Sequence, residues 1–188
     1  MIENIIPRSS LWIILLFLYL CSCKCPLSGD DKDVDYHKMV GEWYVIAASP
    51  VRSKVGKCLH FNVVMNGTDS FAMNFTTTSA ISNGRLLWRV NGKQSENETI
   101  ATWQLNGSPR VQGPFLHKML VVNYTQFCAM IVCTGPKSTM YRNSFGMIWS
   151  RQRYLPTKDL IYLKDEIARY VNKQEIVDVN NTCSGVSF

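Results

Sequence analysis

LHFNVVMNGTDSFAMNF, residues 59–75, holds two runs in which large apolar side chains fall on every second position. Leu59, Phe61, Val63 and Met65 alternate with His60 and Asn62; Phe71, Met73 and Phe75 alternate with Ala72 and Asn74. Successive side chains of a strand point to opposite faces, so a period of two marks a strand with one buried face. Asn66-Gly67 lies between the runs, and both residues tolerate positive φ, which makes the pair the strongest short hairpin signal.

The same alternation continues in both directions. Upstream, Trp43–Ala48 is short and apolar. Downstream come Leu86, Trp88 and Val90, then Ala101, Trp103 and Leu105, then His117–Val122, Phe127–Cys133 and Phe145–Trp149. Asn83-Gly84, Asn91-Gly92, Asn106-Gly107, Gly113-Pro114 and Gly135-Pro136 are read as the turns between them. Eight strands of similar spacing predict an all-β, antiparallel, up-and-down arrangement, either a closed barrel or a sandwich. One segment has the other period: Leu160, Leu163, Ile167 and Val171 recur at helical spacing behind Pro156. An amphipathic helix over about 157–173 is expected, with Thr157 as its N-cap and Asp159 in its first turn. The tail after it should run along the surface, held by Cys183.

The 188 residues suit one domain, and 46% hydrophobic with 18% charged residues is a globular composition. Leu11–Leu20 is an unbroken apolar run of ten residues, too short to cross a bilayer about 30 Å thick as a helix. Arg8 precedes it and Cys21, Ser22 and Cys23 follow, which predicts a signal peptide over 1–23, a cut after Cys23 and a mature domain over 24–188. Export fits the Asn-x-Ser/Thr sequons at Asn66, Asn74, Asn97, Asn123 and Asn180; a sixth, at Asn106, is disfavoured by Pro109 behind its Ser108. A secreted, extracellular glycoprotein with no transmembrane segment is expected. The five cysteines beyond the cut would give two bridges and one free thiol, and spacing alone does not choose the pairs. No Cys/His spacing suggests a metal site.

Gly41-Glu42-Trp43 opens the first strand, Asn123-Tyr124-Thr125 stands between the sixth and seventh, and Trp149-Ser150-Arg151 ends the last. With one helix to follow, this set resembles the three signature regions of the lipocalins. It is most similar to the group of insect bilin-binding proteins and apolipoprotein D. The resemblance implies an eight-stranded barrel with the C-terminal helix packed on its wall. It also implies that Gly41, Trp43 and Arg151 close one end, the guanidinium lying across the indole. By the same resemblance Cys25 pairs with Cys133 and Cys58 with Cys183. Asn123 stands where the family has an aspartate, and Cys128 is an addition to its pattern.

In such a barrel the alternation places Phe61, Phe71, Met73, Phe75, Trp88, Trp103, Met119, Met130, Met147 and Trp149 inside. Thioethers adapt to irregular shapes and flat rings stack on conjugated ones, so this lining suits a small hydrophobic ligand: a retinoid, sterol, fatty acid, bilin or pheromone. The expected function is lipid transport by a secreted carrier, not an enzyme, with no cofactor. No nucleophile elbow, zinc-protease motif or phosphate loop is present. Three alternatives follow from particular features. Cys128 shares the phase of Met130 and could be the thiol of a barrel enzyme. His117, near a strand end, could point inward as an axial ligand of haem, whereas His37 precedes the barrel and His60 is on the outward phase. The net charge of +6 could serve a cell-surface receptor contacted through the outer face; export argues against a nucleic-acid partner.

Overall fold

The computed structural model describes residues 34–49, 56–79, 84–95, 98–106, 115–134 and 144–183, with backbone alone for 94–95, 98–106, 115–116 and 134. The expected leader lies outside these residues. All eight expected strands are present: β1 Gly41–Ser49, β2 Lys57–Met65, β3 Ser70–Thr78, β4 Arg85–Ser95, β5 Glu98–Asn106, β6 Phe115–Asn123, β7 Phe127–Thr134 and β8 Ser144–Ser150. Each is antiparallel to the next, from β1–β2 through β7–β8. β1 is hydrogen-bonded to β2 on one side and to β8 on the other. The β5–β6 seam is short, with three residue pairs ending at Ala101 and His117.

Asn66-Gly67 lies in a turn as expected, whereas Asn91-Gly92 does not. The loop after β2 spans 66–69 and is closed by the Asn66 amide donating to the Ser70 carbonyl at 2.8 Å. Asn91-Gly92 is not a turn: both residues lie inside β4, opposite Ala72 and Phe71 of β3. The glycine serves packing there, because a Cβ on Gly92 would collide with the Phe71 ring.

The helix, α1, runs over Thr157–Ala168, shorter than the expected 157–173. Pro156, not Thr157, is its N-cap; it sits at φ −54° and ψ 141° and accepts the first helical bond from Leu160 at 3.0 Å. The last turn tightens as the Tyr170 amide reaches back to the Ile167 carbonyl. At Asn172 the backbone is extended, and its side chain caps a new 3-10 turn over Lys173–Glu175. Leu163 and Ile167 are the buried face of α1 and pack on Ile46, Ala129, Ile131 and Ile148, the outward side of β1, β7 and β8. Gly146 makes this close approach possible, since a Cβ there would collide with Ile167.

The tail forms a short ninth strand, β9 Val177–Asp178, on the edge of β1. The Val179 amide bonds the Ile46 carbonyl, and the buried Asn181 amide donates to the carbonyls of Val45 and Arg153. Cys183 is bonded to Cys58, with Cα atoms 5.2 Å apart. Cys58 holds φ at +56°, a left-handed conformation at a break in the β2–β3 register. Its amide donates to the Asn180 carbonyl at 2.7 Å. Strand and tail are thus joined covalently and through the backbone at one point. Cys133 is also disulfide-bonded and Cys128 is free. Cys25, the partner expected for Cys133, lies outside the described residues.

Candidate ligand site

At one end of the sheet a group of side chains is tied to backbone carbonyls. A 3-10 turn over Tyr36–Met39 leads into β1, capped by the Asp35 carboxylate accepting from the His37 amide. Trp43 is fully buried, and its indole N–H donates to the Met39 carbonyl at 2.7 Å. The Arg151 guanidinium carbon lies 3.9 Å above the Trp43 ring. Its nitrogens donate to the carbonyls of Tyr124, Glu42 and Lys38 at 3.0, 3.0 and 3.1 Å. One side chain therefore ties together the β6–β7 turn, the start of β1 and the lead-in. Gly41 is favoured here by its backbone conformation. Its φ is +103°, and a Cβ would stand 3.2 Å from the Arg151 guanidinium.

Above this plug lies one apolar cluster. Phe61, Phe71, Met73, Phe75, Met119, Met130 and Trp149 are buried in it with Trp43 and Cys128. Trp88 and Met147 are partly buried against it. The rings are mutually packed: Phe75 stacks on Trp88 at 5.1 Å, and Phe61 stacks on Phe75 at 4.6 Å and meets the edge of Trp149 at 4.5 Å. Of the ten expected lining residues, Trp103 has only its backbone described, opposite Gly92 and Phe115. Beyond Trp88, Leu86 of the same strand phase is 49% exposed, so this line of side chains runs from the interior to solvent.

Residues missed by sequence reasoning complete the interior. Tyr36 of the lead-in turn enters the cluster and stacks on Phe71, centroids 4.1 Å apart and planes 9° from parallel. Its hydroxyl meets His117 Nδ1 at 2.5 Å. His117 is 1% exposed, and its Nε2 lies 3.1 Å from Met130 Sδ. A thioether only accepts, so Nε2 carries the proton and Nδ1 accepts from the tyrosine. Burial pushes the His117 pKa down from 6.5 to about 3, so the ring is neutral. The inward direction of His117 left open by the sequence is therefore settled, and both ring nitrogens are engaged. Met39 and Val34 are further buried members from the lead-in.

Cys128 faces the same interior and is fully buried. Burial pushes its pKa far above the ordinary thiol value, and the smaller opposing pull of Arg151 does not offset it. The thiol is protonated and occupies space as a small apolar group. His60 is on the outward phase, as its position in the alternation indicates, yet it is only 8% exposed. It packs beside the Tyr44 ring and against Cys58. His37 is exposed and bonds the Thr68 carbonyl. Among the described residues no group of three or more His, Cys, Asp or Glu side chains could hold a metal, and no helix is long and apolar enough to cross a membrane.

Of the sequon asparagines, Asn66, Asn74 and Asn180 are exposed and Asn97 lies outside the described residues. Asn123 is half-buried; its amide donates to Gln126 and its oxygen accepts from Thr125, an Asx turn that shapes the β6–β7 connection.

No family model matches the chain. Apolipoprotein D of Oryctolagus cuniculus is 26% identical over 152 residues, covering 76% of this chain and 74% of that protein. Lobster apocrustacyanin A1 superposes with a TM-score of 0.66 at 15% identity, over 80% of this chain and 81% of that one. H1 crustacyanin of the lobster Homarus americanus gives 0.63 at 16% identity, over 98% and 94%.

Proposed function

We propose that the chain is a lipocalin and a secreted carrier of one small hydrophobic molecule, held inside its strands. The eight strands are read as a barrel closed through β1. The observation that carries this reading is the single inward cluster of aromatic rings and thioethers above a hydrogen-bonded plug. Rings give flat apolar contact at low entropic cost, and methionines re-pack around an irregular guest. A retinoid, sterol, fatty acid, bilin or pheromone matches that chemistry. Phe61, Phe71, Met73, Phe75, Trp88, Trp103, Met119, Met130, Met147 and Trp149 are the proposed wall. The sequon asparagines Asn66, Asn74 and Asn180 are exposed and so open to glycans, and the Cys58–Cys183 disulfide is of a kind that persists in an oxidising compartment; both support the export expected from a leader at 1–23.

The test is native mass spectrometry of the protein recovered from a secreting host, after glycan removal, followed by organic extraction. A stoichiometric apolar molecule is the expected result, and retinol, a sterol, a fatty acid or biliverdin added to stripped protein should quench the tryptophan fluorescence. An empty protein that takes up none of the four would overturn the carrier reading. It would move the function to the outer face and a protein partner.

A further inference from the structure

The inner cluster is largely apolar, yet a hydrogen-bonded polar pair reaches it: the Tyr36 hydroxyl and the His117 imidazole, whose ring packs beside Trp149. Their arrangement has a direction. The tyrosine O–H fixes Nδ1 as an acceptor, which aims the remaining N–H, on Nε2, at the Met130 sulfur. A thioether is a weak acceptor, and a buried donor with a weak partner has lost most of what water would have given it. Met130 is also the most adaptable kind of neighbour, unbranched and with three rotatable bonds. The donor is therefore fixed and its present acceptor is movable.

We infer that the His117–Tyr36–Met130 group reads the polar end of the cargo, a neutral oxygen (ketone, aldehyde or alcohol) on an otherwise apolar body. That oxygen accepts the Nε2 hydrogen bond in place of Met130 Sδ. The inference rests on the carrier reading and narrows it. A hydrocarbon offers no acceptor and leaves Nε2 with the sulfur. A carboxylate would have to be buried beside an uncharged ring or bring a proton in with it, and burying an unpaired charge costs far more than one hydrogen bond returns.

Four ten-carbon probes separate these cases: methyl octyl ketone, decanol, decanoic acid and decane, each competing with N-phenylnaphthylamine for the full secreted chain. The ketone and the alcohol should bind about 3–10-fold more tightly than decane, the scale of one net neutral hydrogen bond. His117→Phe should abolish that preference, read as the ratio of ketone to decane affinity within the same variant. Met130→Leu should widen it, because the competing acceptor is gone; loss of ordinary packing would weaken all four alike. Equal binding of ketone and decane, a preference that survives His117→Phe, or decanoic acid binding best with proton uptake would each overturn the inference while the carrier reading stands. If His117→Phe does not fold, the Met130→Leu ratio decides, and an unchanged ratio overturns the inference. If neither the fluorescent probe nor any of the four chains binds, the carrier reading itself fails.

Discussion

The plugged end and the interior above it are built from similar residue types and are held in opposite ways. At the plug, Trp43, Arg151 and Gly41 meet backbone carbonyls at fixed distances, and each alternative residue would lose a bond or meet an atom. In the interior, Met73, Met119, Met130 and Met147 surround stacked rings without a directed contact, apart from the Met130 sulfur under His117. Directed bonds specify one geometry, whereas thioether packing accepts several at similar cost. The first arrangement suits a part that must not move, and the second suits a part that must accommodate a guest.

Breaking the plug should have the largest effect. Trp43→Ala removes a fully buried indole, its bond to Met39 and the surface under Arg151, and is expected to cost about 3–5 kcal/mol in urea unfolding. A loss below about 1 kcal/mol would mean that the plug is no more specified than the interior.

Acid should act next, and through the interior. His117 has a folded-state pKa of about 3 against 6.5 ordinarily. Below pH 6.5 the unfolded chain takes up a proton that the folded chain refuses, so stability present above that pH is lost as pH falls towards 3. The slope approaches about 1.4 kcal/mol per pH unit, or about 2–3 kcal/mol over the first two units. Urea midpoints measured across that window should fall for the native chain and flatten for His117→Gln. A slope unchanged by the substitution would place the acid sensitivity elsewhere.

The smallest effect is expected from Met73→Leu, a swap that keeps volume inside the adaptable region. It should cost about 1 kcal/mol or less in the same unfolding assay. A loss as large as that of Trp43→Ala would erase the contrast.

Much of this contrast was legible in the sequence. Period-two alternation and short apolar runs such as Trp43–Ala48 placed all eight strands, because each pairs locally with its successor. Gly41, Trp43 and Arg151 were legible only through the lipocalin resemblance, since nothing local says that residues this far apart will meet. The interior polar group was hidden for a related reason. Tyr36 lies outside any alternating run, and His117 stands at the last pair of a short seam, where phase alone does not decide a direction. His60 shows the limit from the other side: its phase was right and its exposure was not, because the Tyr44 ring and Cys58 lie against it on the outward face. Asn91-Gly92 misled because a glycine that admits a neighbouring ring looks the same in sequence as one that turns the chain. Thr157 looked like a cap because Pro156 has no side-chain acceptor; the backbone of Pro156 fills the role instead.

The Cys58–Cys183 bridge spans a sequence separation of 125 residues and encloses β3 to β8 together with α1. A single cut by a protease anywhere between those two cysteines would leave the two fragments covalently attached. The nicked molecule would keep its mass, apart from the added water, until a reductant reached the sulfurs. Backbone scission and loss of a fragment would then be separate events.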